Sequence, residues 1–249
     1  GTHAAGEAYR AIKHGYADAI ITGGAEASVH PLAIGGFANS KALSRSEDPL
    51  QASLPFSADR HGFVIAEGAG ALIFEDYEHA VARGAKLYCE VAGSGMSADA
   101  YHMTAPHPEG KGAMTAMRLA LEDAGLDIAS VDYLNAHGTS TPLGDVAEIA
   151  AVQSLFGEYA YKMNISSTKS MTGHLLGATA AIEALACILA ITKGIIPPTI
   201  NVEQIDPAID PKLNLTIGCA QRREVKVAMS NTFGFGGHNS TIILKKVEK

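Results

Sequence analysis

Hydrophobic positions along the chain recur at two spacings, one helical and one alternating, and they divide it into successive helices and strands. Residues 1–15 set Ala4, Ala5, Ala8 and Ala11 on one face at helical spacing and predict a small-residue, closely packed helix. Residues 17–24 (ADAIITGG) read as a buried strand ending in a glycine turn. Residues 31–62 lose periodicity and are rich in Pro, Ser and Gly, which predicts a long surface excursion of a kind that is often functional. Residues 63–76 read as paired strands, 77–83 as a helix and 88–95 as a strand. Beyond them the alternation is regular. An amphipathic helix at 111–124 is stopped by Gly125, followed by a strand at 131–136, a helix at 145–156 and a short strand at 164–167. An apolar helix at 175–193 and strands at 213–217, 225–230 and 241–245 complete the chain.

Alternating strands and helices predict an α/β protein with a largely parallel sheet. The helix at 175–193 is too apolar for a surface position, and burial between two sheets explains it, giving a layered α/β/α/β/α arrangement. Glu183 sits in its middle, which argues for a buried core helix and against a membrane span. A weak internal echo relates EGAGALIFED (67–76) to GGHNSTIILK (236–245), each running from small residues into an apolar strand.

Composition narrows the functional classes. The 249 residues are 47% apolar, enough for a sizeable core and incompatible with intrinsic disorder. The net charge of −7 comes with no basic run, so nucleic acid is not an expected partner. No secretory signal is present, and Cys89, Cys187 and Cys219 have neither zinc-type nor CxxC spacing, which fits a reducing cytoplasm. Cys187, within the apolar helix, is expected in the core, and no cysteine has a nucleophile context.

Three segments carry candidate chemistry. In NAHGTSTPLGD (135–145) a strand delivers His137 to its carboxyl end, where α/β sites form, before a Gly/Thr/Pro turn. A turn histidine in a hydroxyl-rich loop is an equally good reading of that segment alone. In SSTKSMTGH (166–174) a strand again ends in a turn, with His174 at the start of the apolar helix, whose dipole would keep the imidazole neutral. Lys169 is the nearest cation for Glu183, and the two are either part of a site or a structural ion pair. In NTFGFGGHN (231–239) alternating Gly and Phe give either a ligand-approaching loop or a tight hairpin with packed aromatics. Taken together, two neutral imidazoles can both donate to one carbonyl oxygen, which is equipment for stabilising an enolate and not for binding zinc.

In order and spacing these segments resemble the signature regions of the elongating β-ketoacyl-acyl carrier protein synthases. GGAEAS (23–28), PFSADRHGFVIAEGAGALIFE (55–75) and DAYHMTAPHPEG (99–110) fit the same family, so the resemblance covers essentially the whole chain. It implies the thiolase fold, five αβαβα layers from two similar halves. Residues 1–95 would be the tail of the amino-terminal half and 96–249 the complete carboxy-terminal half. It also implies decarboxylative Claisen condensation of acyl chains with malonyl-acyl carrier protein, in a cytoplasmic homodimer with no metal or cofactor. By position, His137 and His174 would hold the malonyl thioester carbonyl, and Lys169 would pair with Glu183 to order the region. Phe235 would be the gating phenylalanine and oxyanion-hole donor, with Phe233 lining the site and Asp145 supporting it. Thr104, Thr139 and Thr141 match positions that contact the pantetheine arm. Lys41 and Arg45 are candidates for a basic patch facing the acidic carrier protein, or are ordinary solvated loop residues.

The resemblance places the family's nucleophilic cysteine about three residues before Gly1, outside these residues, at the start of a helix whose dipole would lower the thiol pKa. A chain-length-factor-like partner subunit without condensing activity and a polyketide ketosynthase are the alternatives. Retention of both histidines and Lys169 weighs against the partner subunit.

Overall fold

The computed structural model describes residues 1–248. Helix α1 (Thr2–Lys13) leads into strand β1 (Ala19–Glu26), and α2 (Pro31–Asn39) follows. Strand β2 (Gly68–Glu75), helix α3 (Tyr77–Ala82) and strand β3 (Glu90–Ala98) close the first part. Helix α4 (Lys111–Ala124), strand β4 (Tyr133–Asn135), helix α5 (Pro142–Phe156) and strand β5 (Asn164–Ser166) form the alternating region. A short α6 (Lys169–Thr172) and the apolar α7 (Thr179–Lys193) precede β6 (Ile195–Ile196), β7 (Gln221–Arg222), β8 (Val227–Gly234) and β9 (His238–Lys245).

The main sheet has the order β3-β9-β8-β4-β5. It is mixed and not largely parallel. Strand β4 runs parallel to β5 and β8, whereas β9 is antiparallel to both β8 and β3. The hairpin joining β8 to β9 forces that antiparallel half. A second sheet pairs β1 with β2 antiparallel over their full length.

Helices α4 and α5 cover one face of the main sheet, where Met117, Ile149 and Val152 pack against Leu134, Ile165 and Met229. Helices α1 and α7 lie between the two sheets. There Ala5, Ala8, Ala184, Cys187 and Ala190 meet Leu72 and Phe74 on one side and Tyr133, Ala228 and Ile242 on the other. The alanines let the sheets approach a helix closely, which explains why α7 is both apolar and small. Strands β8 and β9 are covered on both faces and read as continuous apolar or buried runs, while β1 and β2 alternate and leave Ile21 and Ile73 exposed. Residues 1–248 therefore contain four of the five expected layers.

The predicted elements shift in four places. The 31–62 excursion contains α2 and a short 3₁₀ turn, Pro49–Gln51; α2 buries no residue, so it leaves no amphipathic signal. Residues 63–67 form no strand pair of their own, and Phe63 and Ile65 make only isolated bridges to Leu43 and His174. Residues 213–217 likewise give isolated bridges and no strand. The turn before His174 coils into α6, and α7 begins only at Thr179. The stretch Leu176–Lys193 is long and apolar enough by composition to cross a membrane, but it is half buried and places Glu183 in the interior.

Candidate active site

Because β4, β5 and β8 are parallel, their carboxyl ends deliver three segments to one edge of the sheet. His137 follows β4. Its backbone N–H donates to Glu148 Oε1 at 2.9 Å, and that of Gly138 donates to Oε2 at 2.8 Å. Asn231 Nδ2 adds a third bond to the same carboxylate at 3.1 Å. Glu148 is buried on α5, and burial raises its pKa against the pull of these donors. Gly138 has φ +34, and a Cβ there would stand 2.7 Å from Ser167 Cβ.

His174 is fixed by its own backbone. Its N–H donates to Val64 O at 2.7 Å, and its carbonyl accepts from Ala66 N at 3.0 Å. The ring Nδ1 lies 2.9 Å from Thr179 Oγ1 and 3.3 Å from the Leu176 N–H. An N–H only donates, so Nδ1 is an acceptor and the neutral ring carries its proton on Nε2. The two imidazoles face each other with centroids 5.4 Å apart and planes nearly perpendicular, at 86°.

Both rings are held neutral. Burial lowers the His174 pKa to about 3, with the Lys169 cation as second cause. Burial, then Lys169 and His174, lower that of His137 well below the usual imidazole range. The helix-dipole expectation for His174 is replaced by these two causes, since α7 starts five residues downstream. Lys169 Nζ contacts Glu183 Oε1, both side chains being 1% exposed. Burial raises the Glu183 pKa to about 7 despite that pairing. Neither Lys169 nor Glu183 lines the cleft; both lie behind the histidines.

The histidines open on a cleft of about 300 Å³. Phe233 stacks edge-on to His137 at 5.7 Å, and Phe63 does the same to His174 at 5.2 Å. Phe37 links Phe63 to Phe235, which is 44% exposed at the mouth. Thr139 and Thr141 line the same cleft with hydroxyls 3.0 Å apart, and exposed Thr104 joins them from the loop before α4. Asp145 stands outside the cleft and clamps its wall. Its Oδ2 accepts from Phe56 N at 2.9 Å and its Oδ1 from Ser140 N at 3.1 Å, and both of those residues have positive φ, 68 and 71. Burial pushes Asp145 up to about 7 against these bonds and Arg60.

Residues 1–80 match the family profile for the beta-ketoacyl synthase N-terminal domain, and residues 88–203 match that for the C-terminal domain. The chain belongs to the beta-ketoacyl synthase family. It is 52% identical over 249 residues to a 3-oxoacyl-[acyl-carrier-protein] synthase 2 of Synechocystis, covering all of this chain and 59% of that protein. A Staphylococcus aureus protein of the same name is 50% identical over 248 residues, again with 59% of it covered. The chain thus spans about three-fifths of the length of the curated relatives it matches. Among solved structures, a type II polyketide ketosynthase in complex with its acyl-carrier protein superposes with TM-score 0.96 at 41% identity, over 100% of this chain and 61% of that one. A beta-ketoacyl synthase from Burkholderia phymatum superposes at 0.94 with 42% identity, over 100% and 59%. The fold is that of these thiolase-fold ketosynthases.

Within this synthase family member, the geometry gathers His137, His174, Phe233, Phe235, Thr104, Thr139 and Thr141 around one cleft. Lys169, Glu183 and Asp145 are buried and do not line it. No cysteine lines it. Cys187 is buried in the core, Cys219 is exposed, and the Cys89 thiol is pushed up to about 12 by burial. Among the described residues no cluster of His, Cys, Asp or Glu could hold a metal ion.

Sequence reasoning missed Glu148, Arg60, Thr179 and the aromatic pair Phe37 and Phe63. Glu148 had a usable signal, a carboxylate three residues after Asp145 among the apolar residues of α5, akin to the signal that exposed Glu183. Arg60 had none. Its buried guanidinium donates to the carbonyls of Ser57, Thr141 and Pro142 and to Asp206 Oδ2, partners scattered along the chain.

Proposed function

We propose that the protein carrying this chain performs decarboxylative Claisen condensation of an acyl thioester with malonyl-acyl carrier protein, as a 3-oxoacyl synthase of fatty acid elongation. The observation that carries this reading is the facing pair of neutral imidazoles, His174 with its proton on Nε2, in the wall of an apolar cleft. Two neutral N–H donors aimed at one oxygen suit a thioester carbonyl that becomes an enolate. The carboxylate carbon of the malonyl group leaves as carbon dioxide. The electrons of the broken C–C bond pass to the enolate, whose negative oxygen the two donors hold. The enolate carbon then attacks the acyl thioester carbonyl, and the C–S bond breaks to release the cysteine thiolate. Electrons and protons balance without a cofactor.

The acyl-accepting cysteine is assigned to the position the family resemblance gives it, ahead of α1. The first turn of α1 abuts the cleft, with Thr2 Oγ1 2.6 Å from the Thr232 hydroxyl of the cleft wall. Phe235 is assigned as the gate, and Thr104, Thr139 and Thr141 as contacts of the pantetheine arm. An acyl carrier protein is the proposed partner, supported by the similar ketosynthase solved with its own carrier. Homodimer assembly and a cytoplasmic location are further parts of the proposal. A polyketide extension role is the second reading, favoured by the TM-score of 0.96 to a polyketide ketosynthase. The higher identity to the fatty acid enzymes favours the first.

His137→Ala and His174→Ala should each abolish malonyl-carrier decarboxylation in the full-length protein, followed as carbon dioxide release. Decarboxylation at the parent rate in either variant refutes the paired-donor role.

A further inference from the structure

Acyl transfer needs two structural elements in register. The cysteine thiolate adds to the acyl-carrier thioester carbonyl, backbone N–H donors hold the negative oxygen of the tetrahedral intermediate, and the carrier leaves as its thiolate. On the condensation reading above, the thiolate stands ahead of α1, whereas one donor is the N–H of Phe235, which directly follows β8. These two elements come from opposite ends of the chain, and a small misplacement of one against the other slows the step.

The tie between them is narrow. Gly1, at the N-cap of α1, lies so close to the start of α7 that a Cβ there would stand 2.7 Å from Ala180 Cβ. That packing seats α1 against the segment that follows His174. On the other side, Thr2 Oγ1 lies 2.6 Å from Thr232 Oγ1, three residues before Phe235, and among the described residues this is the only hydrogen bond between α1 and β8. Thr2 is 1% exposed, so bulk solvent does not compete for its hydroxyl. Ser240 stands directly opposite Thr232 on β9, and its hydroxyl is buried with no partner among the described residues. Thr232 therefore bonds across to α1 and not to its own sheet neighbour.

We propose that Thr2 and Thr232 are positioning residues whose paired hydroxyls set α1 against β8, and so set the acyl-accepting thiolate against the Phe235 N–H. His137 and His174 stand on other segments, after β4 and after α6, so the pair governs acyl transfer and leaves the enolate half of the reaction alone. The proposal rests on the condensation reading above.

The test compares the full-length parent with Thr2→Val, Thr232→Val and the double variant, Thr2→Ala replacing Thr2→Val if valine prevents folding. Acyl-enzyme formation from a saturated long-chain acyl-carrier protein is timed by rapid quench and intact mass, and malonyl-carrier decarboxylation by carbon dioxide release. Each single variant should acylate about 5-fold more slowly, the scale of one lost neutral hydrogen bond, with KM for the acyl carrier and the decarboxylation rate unchanged. The double variant should be no slower than the singles, because all three lose the same bond. Thr2→Ser should keep the parent rate. So should Ser240→Ala, which removes a buried hydroxyl of the same strand pair that ties nothing to α1. Acylation at the parent rate in the single variants, single losses that multiply in the double, or an equal fall in acylation and decarboxylation overturns the proposal. A parent that forms no acyl-enzyme refutes the condensation reading itself, and the proposal with it.

Discussion

Replacing Lys169 with Met removes one charge from a buried pair and keeps the aliphatic stem. Glu183 then has no hydrogen-bonded cation among the described residues, because Lys169 Nζ is the partner of its Oε1 and its Oε2 has none. Breaking a buried pair in this way costs about 3–5 kcal/mol when the survivor stays charged. Glu183 has a cheaper route, which is to keep a proton. In the parent, its pKa rises from an ordinary 4.5 to about 7 on folding. Such a group stabilises the fold fully below the unfolded value, and that stability is lost as pH rises through the folded value. Above pH 7 the parent has an ionised, paired Glu183 and stops losing stability from it. The Lys169→Met protein must hold its proton and continues to lose about 1.4 kcal/mol per pH unit. The deficit relative to the parent should therefore be small at about pH 6 and reach roughly 2 kcal/mol at about pH 8.5. Urea unfolding at both pH values, followed by circular dichroism, measures it. Lys169→Met combined with Glu183→Leu should lose the slope. A deficit that is the same at both pH values refutes Glu183 as the responsible group.

Two further variants probe the His137 loop. Gly138→Ala adds a Cβ 2.7 Å from Ser167 Cβ, against a backbone at φ +34, and should cost about 1–3 kcal/mol together with most decarboxylation, read by unfolding and carbon dioxide release. Glu148→Gln offers only one carbonyl oxygen to the two N–H groups of residues 137 and 138, so one donor loses its partner; a stability loss of about 2 kcal/mol is expected, and an unchanged urea midpoint would refute the carboxylate's bracing role.

The parts of the site that were legible in the sequence are those where one residue violates its surroundings. Glu183 breaks an apolar helix, Lys169 is the cation within reach, and both histidines sit where a strand ends in a glycine turn. The direction of the strands was not legible in the same way. Strands β8 and β9 are covered on both faces, so their apolar runs resemble parallel interior strands, and the hairpin reading of the FGFGG segment between them stood beside a ligand-loop reading that the residues alone did not exclude. Helix α2 escaped for the opposite reason: none of its residues is buried, so no periodic stripe marks it. Arg60 and Asp206 became visible only as partners, since a charged residue in a polar loop carries no trace of its burial.

The Arg60 brace bears on how the cleft forms. Its guanidinium joins residues 81, 82 and 146 positions away, and Phe56 reaches Asp145 across 89. Each such link closes a long loop, whose entropy must be lost before the contact returns any stability. The β8–β9 hairpin, by contrast, closes through residues 235–237 alone and can condense first. The wall carrying Thr139, Thr141 and the Phe56 turn must then dock late, as a separate step. In hydrogen exchange, the amides of Phe56 and Ser140 should therefore open at a lower free energy than those of β4 and β8, even though all four segments are buried in the native protein.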